Sequence, residues 1–181
     1  MLQTCAIAQE KQPLFDAFSI GGKGGGYSEG FNPNKSNGGF ALGFDMDVFR
    51  KRMMYSIDYT LNDEFNLFGD APSEKYENIG VLAGSYIGNK YIRLEYQAGA
   101  GIIWGRYRTD TIIDKNEGPY IGWDIYESKD FWNVSGVGKV SFKIIPIRYI
   151  AVGVELQGNL NPVTTFYNQL ITVEIGNLRI D

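Results

Sequence analysis

The stretch from Tyr91 to Arg108, YIRLEYQAGAGIIWGRYR, alternates between two kinds of side chain. Apolar residues occupy every second position from Ile92 to Trp104, and the positions between them carry Arg93, Glu95 and mostly small residues. A period of two predicts a β-strand with one apolar face and one face that is charged or nearly bare. If the apolar face is the core, the protein is soluble. If it faces lipid, the strand belongs to a membrane barrel and the charged face is the interior.

The composition excludes several classes of protein. The 181 residues include one cysteine and no histidine, so disulfide frameworks, cysteine or histidine zinc sites and serine triads are unavailable. A net charge of −4 argues against a nucleic-acid partner. No stretch approaches the ~20 apolar residues of a membrane-spanning helix, but barrel strands need only ~9–11 alternating residues. We therefore expect one domain, no cofactor and no nucleic acid.

The N-terminal residues MLQTCAIAQE contain a small-x-small pattern, Ala6-Ile7-Ala8, which is typical of the end of a secretory signal peptide. We interpret residues 1–8 as a signal-peptide remnant and residues 9–181 as a single β-barrel domain. The alternatives are a lipidated Cys5, for which Thr4 is a poor preceding residue, and an ordinary disordered N-terminus.

The rest of the chain contains strand patterns and no helical period. Eight strands are predicted, at about residues 14–22, 40–49, 55–60, 79–87, 91–108, 132–144, 150–157 and 166–180. Their connections alternate between long and short, and the short ones lie at Arg50-Lys51-Arg52, Gly88-Asn89-Lys90 and Pro146. An even number of strands with short turns at one end and long loops at the other predicts an eight-stranded antiparallel up-and-down transmembrane β-barrel.

The composition of the two faces predicts which one looks inward. The polar face mixes glycine and serine with a few charges, which suits a narrow lumen, whereas the apolar face carries the aromatic residues of a membrane girdle. We therefore predict that ten residues face lipid: Phe40, Leu42, Phe44, Ile92, Leu94, Ala98, Ile102, Trp104, Val152 and Val154. We predict that eight form a charge network in the lumen: Asp45, Asp47, Asp58, Arg93, Glu95, Lys139, Lys143 and Glu155.

Charges in a narrow interior of low dielectric are tolerated only when they are paired and hydrogen-bonded. We therefore expect Arg93 and Lys139 to pair with lumen carboxylates, Glu95 first among them. Such a network would close the barrel instead of lining an open pore.

Several other patterns have weaker interpretations. The glycine-rich run 21–26 lacks the following helix and the Ser or Thr of a phosphate loop, so we interpret it as a flexible outer loop or loosened strand end. Asp45 and Asp47 could in principle serve as acid and base, but a structural role is favoured. The acids of the third long loop lack the spacing of a calcium-binding EF-hand and are interpreted as solvated: Asp110, Asp114, Glu117 and Asp124.

The chain resembles the small outer-membrane β-barrel proteins of Gram-negative bacteria, of the outer-membrane-protein A and X type and the PorT-like barrels. The resemblance covers about Leu14 to Ile180 and depends on the loop layout and on segments such as YIRLEYQAGAGIIWG and FALGFDMDVF. It implies an outer-membrane monomer in contact with lipid. Such barrels usually end in an aromatic residue, whereas this chain ends Leu178-Arg179-Ile180-Asp181.

The leading functional hypothesis is a non-enzymatic outer-membrane protein whose loops serve adhesion, partner binding or envelope stability. The alternative is a soluble lipocalin-like barrel that binds an apolar small molecule, which requires the apolar face to point inward. An enzyme ranks third, because the barrel enzymes of this size that edit outer-membrane lipids depend on histidine, which this chain lacks.

Overall fold

The computed structural model describes residues 15–30, 38–64, 72–115 and 124–178. These residues form eight β-strands: β1 (Ala17–Glu29), β2 (Gly38–Arg50), β3 (Met53–Glu64), β4 (Lys75–Gly88), β5 (Ile92–Lys115), β6 (Asp124–Ile147), β7 (Ile150–Leu160) and β8 (Phe166–Asn177). Each strand pairs antiparallel with its neighbour in sequence, and β1 also pairs with β8, so the sheet closes into an up-and-down barrel. The predicted fold class is confirmed.

Within the barrel, burial alternates along the strands with the period of two that the sequence predicts. In β5, Arg93 and Glu95 are buried inside the barrel, while Leu94 and Tyr96 lie exposed on its outer face. The same order, polar inside and apolar outside, recurs around the barrel. A soluble lipocalin-like barrel needs the reverse order, so that alternative is wrong.

The glycine-rich run 21–26 lies in the middle of β1 and is paired on both sides, so its interpretation as an outer loop or loosened end is wrong. Glycine allows the neighbouring strands to approach closely here. A Cβ atom on Gly25 would lie 2.0 Å from the carbonyl oxygen of Gln169 on β8. The small residues therefore bring β1 and β8 together, and the alternation of the strand places Lys23 in the interior.

Two of the three predicted short turns lie where the sequence places them, at Lys51-Arg52 and around Asn89. The third is displaced, because β6 continues past Pro146 and the turn falls at Arg148-Tyr149. The register between β6 and β7 shifts after Ile144, and this irregularity accommodates a proline, which has no N–H to donate.

The strands β5 and β6 are the longest, with 24 residues each. Pairing with β4 stops at Arg106, and pairing with β7 stops at Gly136, so the outer parts of β5 and β6 continue as a two-stranded hairpin. We call residues 107–115 and 124–129, where β5 pairs with β6 alone, the projecting hairpin. The interpretation of residues 109–130 as a loop is therefore wrong for the described part of that segment.

The described part of the chain contains no helix that is long and apolar enough to cross a membrane. The signal-peptide interpretation concerns residues 1–8, which lie outside the described residues. Glu117 and the last three residues, 179–181, also lie outside them.

Candidate functional site

The interior near the short turns holds five buried charged side chains, which we call the lower charge layer: Asp47, Arg93, Glu95, Lys143 and Glu174. Arg93 Nε donates to Glu95 Oε1 at 2.6 Å, and its guanidinium lies 4.5 Å from the centre of the Phe49 ring. Lys143 Nζ lies 2.7 Å from Glu95 Oε2 and also contacts Glu174. This layer joins strands that are far apart in sequence and crosses the lower end of the barrel.

A second group of five charged side chains, the upper charge layer, lies directly above: Lys23, Asp45, Asp58, Lys139 and Glu155. Lys23 Nζ contacts Asp58 and lies 2.9 Å from Glu155 Oε1. Lys139 Nζ lies 3.1 Å from Asp45 Oδ2 and 3.2 Å from Asp58 Oδ2. Buried charges are tolerated in such an arrangement because each is paired and hydrogen-bonded.

All eight residues of the predicted charge network lie inside the barrel, divided between these two layers. Arg93 pairs with Glu95, whereas Lys139 contacts Asp45, Asp58 and, at 3.7 Å, Glu155. Sequence reasoning missed two members of the layers. Lys23 lies in the glycine run that was interpreted as a loop. Glu174 alternates with exposed Val173 and Ile175 in β8, so the period of two could have identified it.

Above the charges lie uncharged polar side chains on β3, β4, β7 and β8, which we call the amide belt: Thr60, Asn62, Asn78, Asn159 and Asn168. Each is at most 1% exposed. Ser135 Oγ donates to Asn78 Oδ1 at 2.8 Å. Among the described residues, neither polar atom of the Asn62, Asn159 or Asn168 side chain has a hydrogen-bond partner.

Three aromatic rings, Tyr27, Tyr76 and Phe166, cover the belt on the side of the long loops, and we call them the aromatic lid. Tyr76 and Phe166 stack with ring centres 5.7 Å apart, and Tyr27 meets each of them edge-on at 6.3 Å. Both geometries are favourable for aromatic pairs. The lid separates the belt from the outer mouth of the barrel.

The outer mouth carries three glutamates and one arginine. Arg108 contacts Glu64 at 2.6 Å, and its backbone N–H donates to Glu74 Oε1 at 2.8 Å. Burial raises the pKa of Glu29 to about 7, an effect that a hydrogen bond with Tyr76 opposes and that the negative charge of Glu74 reinforces. The mouth is therefore acidic, and one of its carboxyls titrates near neutral pH.

The ten residues predicted to face lipid all lie on the outer face of the barrel. Nine are exposed, and Trp104 is half-buried beside its cross-strand neighbour Trp132. Among the described residues, charges on the outer face begin at Glu77, the cross-strand neighbour of Trp104, and the outward positions between that row and the short turns carry none. So large an apolar surface is incompatible with a soluble monomer and suits contact with lipid, with aromatic rings at the edge of the band.

A closed eight-stranded barrel with an apolar outer band and a charged interior defines the class of protein. It is a small transmembrane β-barrel of the outer-membrane type.

Comparison with solved structures gives the same fold. The chain is similar to Neisserial surface protein A, with a TM-score of 0.66 and 10% identity over 88% of this chain and 97% of that one. It is similar to the attachment invasion locus protein Ail of Yersinia pestis, with a TM-score of 0.57 and 12% identity over 88% and 97%. The N-terminal β-barrel domain of Pseudomonas aeruginosa OprF matches with a TM-score of 0.53 and 10% identity over 90% and 98%.

No protein-family model and no curated protein sequence matches the chain. At identities this low, the structural matches define the fold and leave the activity to be argued from the site.

Proposed function

We propose that the protein is a closed, non-enzymatic barrel in the outer membrane of a Gram-negative bacterium and that its projecting hairpin binds an envelope or surface partner. The observation that carries this proposal is the contrast between a lumen crossed by two layers of paired charges and a pair of strands that continue beyond their neighbours. The barrel anchors the chain in lipid, and the hairpin is available on the outside.

The two charge layers support a closed lumen. The cationic side chains Lys23, Arg93, Lys139 and Lys143 are buried and contact carboxylates contributed by other strands. An eight-stranded barrel has an interior that side chains alone can fill. We expect no steady ion conductance when the purified protein is inserted into planar bilayers, and a steady monomer conductance would contradict the proposal.

The projecting hairpin has features of a binding surface. Beyond Arg106, β5 has no strand neighbour on its β4 side among the described residues, and before Gly136, β6 has none on its β7 side. Ile112 and Ile113 are exposed on it, at 40% and 66%. Free strand edges and exposed apolar side chains are where proteins accept an added strand or an apolar partner.

The test is to replace the projecting hairpin by a short turn in cells that lack the native protein. Ail, which has a similar fold, is an attachment invasion locus protein and has been solved with the heparin analogue sucrose octasulfate, so sulfated sugar belongs among the surfaces offered. We expect cells with the full chain to adhere and cells with the shortened chain to lose adhesion. The shortened barrel should still be folded, so its migration on a gel should still change when the sample is boiled.

The matched control replaces Lys51 and Arg52 in the short turn at the opposite end of the barrel and should leave adhesion intact. Unchanged adhesion of the shortened chain would contradict the role of the hairpin. Loss of detergent resistance alone, with no change in adhesion, would assign the protein to envelope stability.

A further inference from the structure

The two charge layers contain more negative than positive charges. Four cationic side chains, Lys23, Arg93, Lys139 and Lys143, face six carboxylates: Asp45, Asp47, Asp58, Glu95, Glu155 and Glu174. With every group ionised, the interior carries a surplus of two negative charges. A surplus of charge in a region of low dielectric is costly, so it favours the uptake of positive charge.

The amide belt provides a second, independent observation. Buried polar atoms in folded proteins are almost always hydrogen-bonded, to protein or to ordered water. In the described part of the chain, the hydroxyl of Thr60 and both polar atoms of Asn62, Asn159 and Asn168 have no partner, although these residues are at most 1% exposed. These unpartnered oxygen and nitrogen atoms on β3, β7 and β8 require a guest that bonds to them.

The belt adjoins the surplus of charge. Thr60 follows Asp58 by two residues on the same face of β3. Asn159 follows Gln157 by two residues on β7, and Gln157 Nε2 donates to Asp58 Oδ1 at 3.0 Å. The neutral oxygens of the belt therefore lie beside the negative upper charge layer.

We propose that the amide belt binds a small monovalent cation, Na⁺ or K⁺, together with some of its water. Amide and hydroxyl oxygens are ligands that such hard cations accept, and water can complete the shell. The carboxylates already contact lysine or arginine, so they attract the ion through their field without surrounding it. A divalent ion, which prefers several direct carboxylate ligands, fits this chemistry less well.

The two ends of the interior indicate the side from which the cation enters. The lower end is closed by Arg93, which lies over the Phe49 ring and has its guanidinium 5.7 Å from the Tyr86 ring centre. The outer mouth carries three glutamates against Arg108, so its field attracts cations toward the aromatic lid. Entry from the outer side therefore requires movement of the lid only.

The test compares urea unfolding of the purified barrel in detergent, at equal ionic strength, in NaCl, KCl and tetramethylammonium chloride. We expect a higher urea midpoint in NaCl or KCl, because tetramethylammonium is too large for the belt. Crystals grown with Tl⁺, a K⁺ substitute, should show an anomalous peak inside the belt. Equal midpoints in all three salts, with no Tl⁺ peak, would mean that only water or protons occupy the belt and would overturn the proposal.

Two variants locate the effect. Asp45→Asn with Asp47→Asn balances the charges, and Asn62→Leu with Asn168→Leu removes belt ligands, so each pair should abolish the difference between salts. The matched control is Gln169→Leu on the outer face of β8, which should keep it. A salt difference that survives in both double variants would place the cation elsewhere and overturn the proposal. If either variant fails to fold, the wild-type midpoints and the Tl⁺ peak decide.

Discussion

The lower half of the barrel interior holds both charge layers, and the upper half holds the amide belt. The two halves are equally buried but are bonded in opposite ways. In the charge layers, Arg93 and Lys139 contact carboxylates on their own, neighbouring and distant strands. In the amide belt, Asn62 and Asn168 have no partner among the described residues. Charged groups cannot be buried alone, whereas neutral amides can share a space with water at modest cost. The difference indicates that ion pairs in the lower half join the strands, whereas the polar groups of the upper half are left for partners other than side chains.

The largest expected effect is in the lower half. Arg93→Met leaves Glu95 and Glu174 buried with a reduced set of partners, and breaking a buried pair from one side typically costs about 3–5 kcal/mol. Arg93→Met combined with Glu95→Met should cost less, because the pair is then removed as a whole. Urea unfolding of the refolded barrel measures both. A double variant less stable than the single variant would show that the pairing is not what holds this half together.

An unpaired charge on the outer face of the barrel tests whether the interior charges are tolerated because they have partners. Ala98→Arg, at the middle of the apolar outer face of β5, should destabilise by about 2–4 kcal/mol in a lipid bilayer. Thr111→Arg, on the exposed hairpin outside the band, is the control and should change the free energy of unfolding little. Equal tolerance at the two positions would mean that the apolar face does not meet lipid.

The upper half should respond far less to loss of a polar group. Asn168→Leu removes two polar atoms that have no partner among the described residues, so we expect a change of within about 1 kcal/mol in tetramethylammonium chloride. The same urea assay measures it. A loss comparable to that of Arg93→Met would show that the belt carries bonds as strong as those of the charge layers.

A pH-dependent effect is expected at the outer mouth, where Glu29 titrates. Its pKa in the folded barrel is about 7, above the ordinary value of 4.5, so its contribution to stability is complete below 4.5 and is lost as the pH rises through 7. The urea midpoint should therefore fall between these pH values. Glu29→Gln should reduce that fall, and an unchanged pH profile in this variant would assign the dependence to other groups.

The strands and the direction of their faces could be predicted from the sequence, because a period of two is recognised without knowing which strands pair. The alternation at Arg93, Leu94 and Glu95 could be interpreted from local order alone. Lys23 was missed because glycine is a strong signal for loops, and the same glycines serve here for close packing of β1 and β8. The sequence also predicts β5 and β6 to end too early, because Pro146 and the acids after Arg108 resemble loop residues.

The exact partners within the charge layers could not be predicted. Which charges meet depends on the stagger between strands, and this stagger is fixed only when β1 and β8 close the barrel. Lys139 thus contacts Asp45 and Asp58 because the tilt of the strands raises them to its level. The aromatic lid was missed for a related reason. Tyr27 and Tyr76 lie in segments that were interpreted as loops, and Phe166 is their neighbour only in the closed barrel.

The pairing of β1 with β8 has a consequence for the time course of folding. Strands at opposite ends of the chain must meet before the barrel is complete, and contacts between residues so distant in sequence form late and slowly. Lys23 on β1 reaches Glu155 on β7 only after this seam has formed. Until then its ammonium group lacks part of its set of carboxylates. The last step of assembly is therefore also the step that completes the pairing of the Lys23 charge.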